Sequence, residues 1–227
     1  LCVLYSGGKD STLALMESRE DHEVACLVTF APRSLESWLF HYPNVHIVKL
    51  QAEAMGLPLI FEECPDDEAG SLAALEGALA KARVLYSIEG VVTGAVRSVY
   101  QLSRFKRAAE KLGLKCVAPL WGRDEIELLR EVVGRGIEAI FTRVAGYPLS
   151  RAFLGRRIDD ATIELLLKYR RYVNPSGEGG EYETLVLDAP IFSRRIVPRS
   201  WRIEGSEYDA VLFIDEAELV EKTAGKL

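Results

Sequence analysis

Ser6-Gly7-Gly8-Lys9-Asp10-Ser11 follows directly on the apolar run Leu1-Cys2-Val3-Leu4-Tyr5. An apolar run, a glycine pair and a polar stretch in that order predict a buried strand, a tight turn and a helix start. A helix start presents unpaired backbone N–H groups and the positive end of the macrodipole, so it attracts phosphate. Gly7 and Gly8 lack Cβ atoms, so the backbone there can approach an anion closely and adopt positive φ. Ser6 and Ser11 supply hydroxyl donors, and Lys9 supplies a point charge. Asp10 is out of place in a cradle for anions alone. A carboxylate beside phosphates fits a magnesium ion lying between them. The spacing is neither that of a Walker loop nor that of a dinucleotide fingerprint. A glycine turn with a polar helix cap is the plainer account. The coincidence of strand, glycines, cation and carboxylate argues against it.

Two further constellations carry chemistry. Gly94-Ala95-Val96-Arg97-Ser98-Val99-Tyr100-Gln101 follows another short apolar run. Gly94 permits a tight turn, and Ser98 can cap the next helix while donating to a phosphate. Arg97 and Arg104 are candidate anion partners; a simple strand–helix connection with solvated arginines is the competing account. The third constellation is Asn174-Pro175-Ser176-Gly177-Glu178-Gly179-Gly180-Glu181-Tyr182-Glu183-Thr184. Its glycines and proline predict an irregular loop entering a strand, in which Glu181 and Glu183 would face the same side. Clustered carboxylates repel one another unless a cation lies between them or the loop hangs in water. His22, His41 and His46 have no spacing that suggests a shared metal. The aromatic stretch Ser37-Trp38-Leu39-Phe40-His41 reads as loop packing, with a place beside the nucleotide as the alternative.

The elements that must position these residues follow from the apolar pattern. Strands are expected at 1–5, 24–30, 59–62, 90–93 and 114–117, with helices between them at 11–19, 48–55, 71–87 and 99–112. Such alternation implies a parallel sheet covered on both faces, which binds ligands beyond the carboxyl ends of its strands. The 6–11 and 94–98 segments both follow strand ends and can face one crevice. After Pro119-Leu120-Trp121-Gly122 the pattern changes. A helix opens at Asp124, a strand follows at 138–144, a helix at 160–172, and strands at 182–187, 200–203 and 210–214. The expected fold class is therefore α/β: a Rossmann-like five-stranded parallel sheet with helices on both faces, plus a smaller C-terminal α+β domain. The boundary is expected near residue 122, giving a first domain at 1–122 that carries the phosphate-suited loop and a second at 123–227.

Composition narrows the function classes. The 227 residues are 48% hydrophobic and 27% charged, ordinary for a soluble globular protein, and no apolar run reaches membrane-spanning length. With 28 basic and 34 acidic residues the net charge is −6, so no global attraction to nucleic acid is expected. Cys2, Cys26, Cys64 and Cys116 are scattered and form no C-x-x-C pair. They read as small buried hydrophobes in a reducing cytoplasm rather than zinc ligands or disulfides.

S-G-G-K-D-S after a first strand resembles the pyrophosphate loop of the N-type ATP pyrophosphatases, which cleave ATP to AMP and pyrophosphate. The three constellations together resemble the diphthine–ammonia ligase family, along nearly the whole chain. The resemblance takes in F-H-x-P-N at 40–44, Q-A-E-A-M-G at 51–56, G-A-x-x-S-x-Y-Q from Gly94 and P-L-W at 119–121. It continues through F-L-G at 153–155, E-G-G-E-Y-E-T at 178–184, Asp188-Ala189-Pro190 and Phe192. Two positions depart from the family pattern: Val99, where Asp is common, and Lys106, where Glu is expected.

The resemblance implies that ATP, ammonia and diphthine carried by elongation factor 2 give diphthamide, AMP and pyrophosphate through an acyl-adenylate. On that reading Ser6, Gly7, Gly8, Lys9, Asp10, Ser11, Thr29, Gly94 and Ser98 bind ATP, with Asp10 reaching magnesium through the phosphates. Tyr100, Gln101, Glu178, Gly179, Gly180, Glu181, Tyr182, Glu183 and Thr184 bind the substrate. Lys9, Asp10, Glu181 and Glu183 are the catalytic set. Glu178, Glu181, Tyr182 and Glu183 offer the carboxylates and aromatic face that suit the trimethylammonium group of diphthine. The resemblance further implies a cytoplasmic enzyme of archaeal type, working without membrane or direct nucleic-acid contact, with a homodimer permitted. The alternatives are another adenylating enzyme of the superfamily, such as a tRNA thiolase or a different amide ligase, and a non-catalytic nucleotide-binding module.

Overall fold

The computed structural model describes residues 1–32 and 43–222. The aromatic stretch at 37–41, His41 and most of the 40–44 motif lie outside the described residues. The chain divides into two units, one of residues 1–48 and 57–124, the other of residues 49–56 and 125–227.

The first unit is built on five strands: β1 (Cys2–Leu4), β2 (Cys26–Pro32), β3 (Leu59–Cys64), β4 (Gly90–Val92) and β5 (Lys115–Val117). All pair in parallel in the order β3-β2-β1-β4-β5. The helices between them are α1 (Lys9–Asp21), α3 (Glu68–Tyr86) and α4 (Val99–Lys111). Alternation along the strands decides which side chain goes where. Cys2 and Leu4 join Cys26, Val28, Phe30 and Val91 in one buried cluster with Leu75 and Leu79 of α3 and Phe105 of α4. Val3, Leu27 and Val92 are equally buried but point to the other face, where α1 packs on β1 and β4. The predicted doubly covered sheet is therefore present. Its strand order reverses at β1, so the crevice beyond the carboxyl ends of β1 and β4 is the switch point at which such sheets take ligands.

The second unit carries an antiparallel sheet in the order β7-β6-β9-β8. Its strands are β6 (Glu138–Ala145), β7 (Tyr182–Asp188), β8 (Arg194–Gly205) and β9 (Asp209–Glu221). It also holds α5 (Glu125–Gly134), α6 (Asp160–Tyr169) and, from earlier in the chain, α2 (Val48–Met55) from Lys49 onward. Gln51 donates to the Val186 carbonyl at 2.7 Å, and the Ala54 carbonyl accepts from Ser193 N and Oγ at 2.7 and 2.8 Å. Two sequence expectations fall short here. The strands expected at 200–203 and 210–214 are the inner parts of a much longer ribbon, β8 and β9. The helix expected to run to 172 ends at Tyr169.

Candidate active site

The loop between β1 and α1 is held by its own hydroxyls. Gly7 has φ +83°, the left-handed region that only glycine enters without strain, so the chain can turn sharply from strand to helix. Gly8 is the N-cap of α1 and brings no side chain of its own to the first turn. A glycine turn at the positive end of the helix dipole suits an anion. Ser6 Oγ lies 3.0 Å from Ser11 Oγ and accepts from Gly8 N at 3.3 Å. Ser11 and Thr12 hydroxyls both donate to the Gly8 carbonyl, at 3.1 and 2.9 Å. Thr12 Oγ1 also lies 3.0 Å from the buried Tyr5 hydroxyl, whose ionisation burial pushes upward.

Lys9 is 3% exposed, and its ammonium donates to Asp10 Oδ2 at 2.7 Å. The other carboxylate oxygen, Asp10 Oδ1, is buried and has no hydrogen-bond partner among the described residues. An orphaned acceptor carries a cost of about 1–3 kcal/mol, which a bound cation or donor would remove. Among the described residues no group of three His, Cys, Asp or Glu side chains converges on a metal position. One carboxylate oxygen beside a phosphate cradle fits magnesium held chiefly by phosphates and water, the usual habit of that ion.

Gly94 lies against this loop. A Cβ there would come within 2.8 Å of Ser11 N and 2.9 Å of the Asp10 carbonyl carbon. Its φ is outside the left-handed region, so the expected tight turn is not why glycine stands here. Close approach of β4 to the start of α1 is the reason. Ser98 caps α4 by accepting from Gln101 N at 3.3 Å, which leaves its hydroxyl hydrogen for another acceptor. Thr29 is buried, and its hydroxyl donates to the Tyr5 carbonyl at 2.7 Å. That bond fixes the end of β1 at the point where the loop begins.

Other expected residues go elsewhere. Arg104 pairs with Glu68 and stacks on the Tyr100 ring at 3.3 Å from its centroid, so it is engaged between α3 and α4. The Tyr100 hydroxyl is buried without a partner among the described residues, and Gln101 is half-buried. Val99 and Lys106, the two departures from the family pattern, both face solvent. All four cysteines are free. A hydrogen bond with Cys26, followed by burial, pushes the Cys2 thiol well up, and burial also raises Cys64 and Cys116.

In the second unit the 174–181 loop is closed by Glu181. Its Oε1 accepts from Asn174 N and its Oε2 from Gly179 N, each at 2.9 Å. Asn174 in turn donates to Glu125 Oε1 at 2.8 Å and accepts from Ser176 N and Oγ. A Cβ at Gly179 would lie 2.5 Å from Glu181 Oε1 and push that carboxylate from its place. Gly180 takes φ +82°. Tyr182 does not offer the aromatic face expected of it. It is 2% exposed, packs on Phe141 at 4.8 Å and donates its hydroxyl to the Pro175 carbonyl at 2.6 Å. Glu183 alternates with it along β7, and Glu183 and Thr184 are both half-buried; Glu183 stands opposite Arg143 of β6. Glu178 is half-buried in the loop. Asn174, which the sequence offers only as the first residue of an irregular loop, is the residue that organises it. Its position before Pro-Ser-Gly, where Asn commonly organises a turn through its side chain, was the available signal.

Residues 1–116 match the diphthamide synthase N-terminal domain and residues 124–220 match the diphthamide synthase C-terminal domain. The chain is 34% identical over 221 residues to the diphthine–ammonia ligase of Rattus norvegicus, covering 87% of this chain and 82% of that protein. It is 31% identical over 234 residues to the Homo sapiens protein of the same name, covering 92% and 86%. It is 36% identical over 217 residues to the Schizosaccharomyces pombe protein of that name, of which the match spans 35%. The phosphate-suited loop, the Gly94 contact and the glutamate loop thus occur in a chain that belongs to the diphthamide synthase family.

Proposed function

We propose that this chain is an ATP-dependent ligase that joins ammonia to the carboxylate of diphthine on elongation factor 2, releasing AMP and pyrophosphate. The observation that carries the reading is the start of α1: a glycine N-cap, a buried Lys9 and an orphaned Asp10 oxygen at the switch point of a parallel sheet. That arrangement suits the two terminal phosphates of ATP. Ser6, Gly7, Gly8, Lys9 and Ser11 would hold them, with Gly94 and Ser98 toward the α-phosphate and Thr29 fixing the loop. Magnesium, held by Asp10 together with the phosphates, would neutralise charge on the leaving pyrophosphate.

A carboxylate does not condense with ammonia directly, because hydroxide is a poor leaving group. Attack of a diphthine carboxylate oxygen on the α-phosphorus forms the acyl-adenylate and breaks the bond to pyrophosphate. Ammonia then attacks the acyl carbon, AMP departs with the former carboxylate oxygen, and the ammonium proton passes to a base. Lys9 and the N–H groups of α1 stabilise the charge that develops on pyrophosphate. Glu183 is the candidate for holding ammonia or taking its proton, with Glu178, Gly179, Gly180, Thr184, Tyr100 and Gln101 as substrate contacts. Glu181 acts by holding the loop. The reaction belongs to the cytoplasm, where translation factors work.

The test is product identity. Purified protein given ATP, ammonium and diphthine-bearing elongation factor 2 should release AMP and pyrophosphate together with diphthamide. ADP as the main nucleotide product, read by chromatography, overturns the assignment.

A further inference from the structure

Three tyrosines stand exposed together in the second unit. Tyr147 is 64% exposed, Tyr172 66% and Tyr208 42%. The Tyr172 ring lies 5.8 Å from that of Tyr147 at 78°, and the Tyr208 ring lies 5.5 Å from it at 69°. Exposed aromatic rings are ordinarily scattered, and a contiguous group is a mark of a binding surface. Rings set near the perpendicular form a corner in which one cation can touch two π faces.

The corner adjoins the glutamate loop. Tyr172 stands two residues before Asn174, the residue that Glu181 ties down. Ala145 N donates to the Glu181 carbonyl at 2.8 Å, and Gly146 N donates to the Tyr208 carbonyl at 2.6 Å. Tyr147 and Tyr208 are therefore fixed to the same stretch of backbone that carries the loop. Glu207 and Asp209, both exposed, flank Tyr208. Guanidinium–ring contacts are made elsewhere, on Tyr100, Phe153 and Phe213. Among the described residues no arginine stacks on the three tyrosines, although Arg170 and Arg171 immediately precede Tyr172.

We infer that the Tyr147–Tyr172–Tyr208 corner is a binding site for a quaternary ammonium cation. The inference rests on the ligase reading for its natural ligand, the trimethylammonium end of diphthine. A quaternary nitrogen has no N–H to donate, so hydrogen-bonding groups recognise it poorly and aromatic faces recognise it well. Tyr182 is buried in the core, so this corner is the aromatic surface that the loop has to offer such a cation.

The probe is choline, compared with its neutral isostere 3,3-dimethylbutan-1-ol. In the full chain, saturation of the tyrosine ring protons should transfer to the choline methyl groups and much less to the isostere. Tyr147→Ala should abolish the transfer, and Tyr147→Phe, which keeps the ring, should restore it. Equal transfer to both probes, or an unchanged choline signal in Tyr147→Ala, overturns the cation site. In the amidation assay Tyr147→Ala and Tyr172→Ala should raise KM for the modified factor roughly two- to thirtyfold, with kcat and ATP affinity retained. An unchanged KM overturns the assignment of diphthine to this corner. A wild-type chain that binds choline but forms no AMP with the modified factor sinks the ligase reading instead, and with it the natural ligand.

Discussion

At the scale of single residues, the phosphate loop owes its shape to side chains that are absent as much as to those present. Gly8 leaves the first turn of α1 open, and Gly94 lets β4 come up against it. Gly94→Ala is the sharper probe of the two. The added methyl would meet Ser11 N and the Asp10 carbonyl carbon, both backbone atoms that cannot swing aside as a flexible side chain would. Overpacking of this kind costs about 1–3 kcal/mol. Part of that cost would fall on the position of the anion-binding N–H groups. ATP affinity measured by titration calorimetry should therefore drop roughly tenfold, while thermal melting shows a folded chain. Wild-type affinity would detach Gly94 from the phosphate site. The residue types of this loop were legible in the sequence, and so was the chemistry they suit. The reason for Gly94 was not, because a turn glycine and a close-approach glycine are written with the same letter. Lys9→Ala should weaken ATP binding and stop turnover, since removing the cation leaves Asp10 as an uncompensated negative charge beside the phosphates. Full activity of that variant in the AMP assay would remove the loop from the mechanism.

At the scale of elements, the glutamate loop and its strand set two carboxylates that the sequence could not tell apart in different surroundings. Alternation put Glu181 and Glu183 on one side, but Glu181 precedes β7 and turns back on its own loop, accepting two backbone N–H bonds. Tyr182, between them, follows the same alternation into the core and so presents no open aromatic face. Glu181→Gln places an amide NH2 against one of those N–H donors and should lower stability by about 1–3 kcal/mol as it lowers amidation. Glu183→Gln should leave ATP affinity alone, lose less in melting than Glu181→Gln, and cut diphthamide formation roughly ten- to hundredfold. Equal melting losses in the two variants would mean that both glutamates are structural. Helix α6 offers a pH test. Asp159 caps it by accepting from Thr162 N at 2.8 Å, and the Thr162 hydrogen bonds lower the Asp159 pKa from its usual value. A depressed carboxylate contributes stability above its unfolded pKa and loses it as pH falls through the folded value. Asp159→Ala should cost about 0.5–2 kcal/mol near neutral pH. The gap from wild type should close in melts taken well below pH 3.8; a gap that persists there would show that the carboxylate charge is not what caps the helix.

At the scale of the whole molecule, the first unit was the more legible. Its inner strands β1, β2 and β4 are largely apolar runs buried on both faces, and the five strands alternate with helices along the chain. The second unit was harder for two physical reasons. The β8–β9 ribbon exposes much of both faces, so polar residues such as Arg195, Arg199 and Arg202 occupy it without the alternation that marks a half-buried strand. Helix α2 precedes β3 in the chain, yet from Lys49 to Gly56 it belongs with residues 125–227. Nothing in its own pattern announces that. Gln51 and Ala52 on this helix are buried, and the bonds from Gln51 to Val186 and from Ser193 to Ala54 tie it to the second unit. A fragment of residues 125–227 should therefore lack a piece of its own core and leave the buried Val186 carbonyl without its Gln51 donor, a deficit of about 1–3 kcal/mol. It should melt without a cooperative transition and show poor amide dispersion, whereas the full chain melts cooperatively. A fragment of residues 1–124 should keep its parallel sheet, retain ATP binding and expose α2. A cooperative, well-dispersed 125–227 fragment would show that α2 is an accessory to the second unit rather than part of its core.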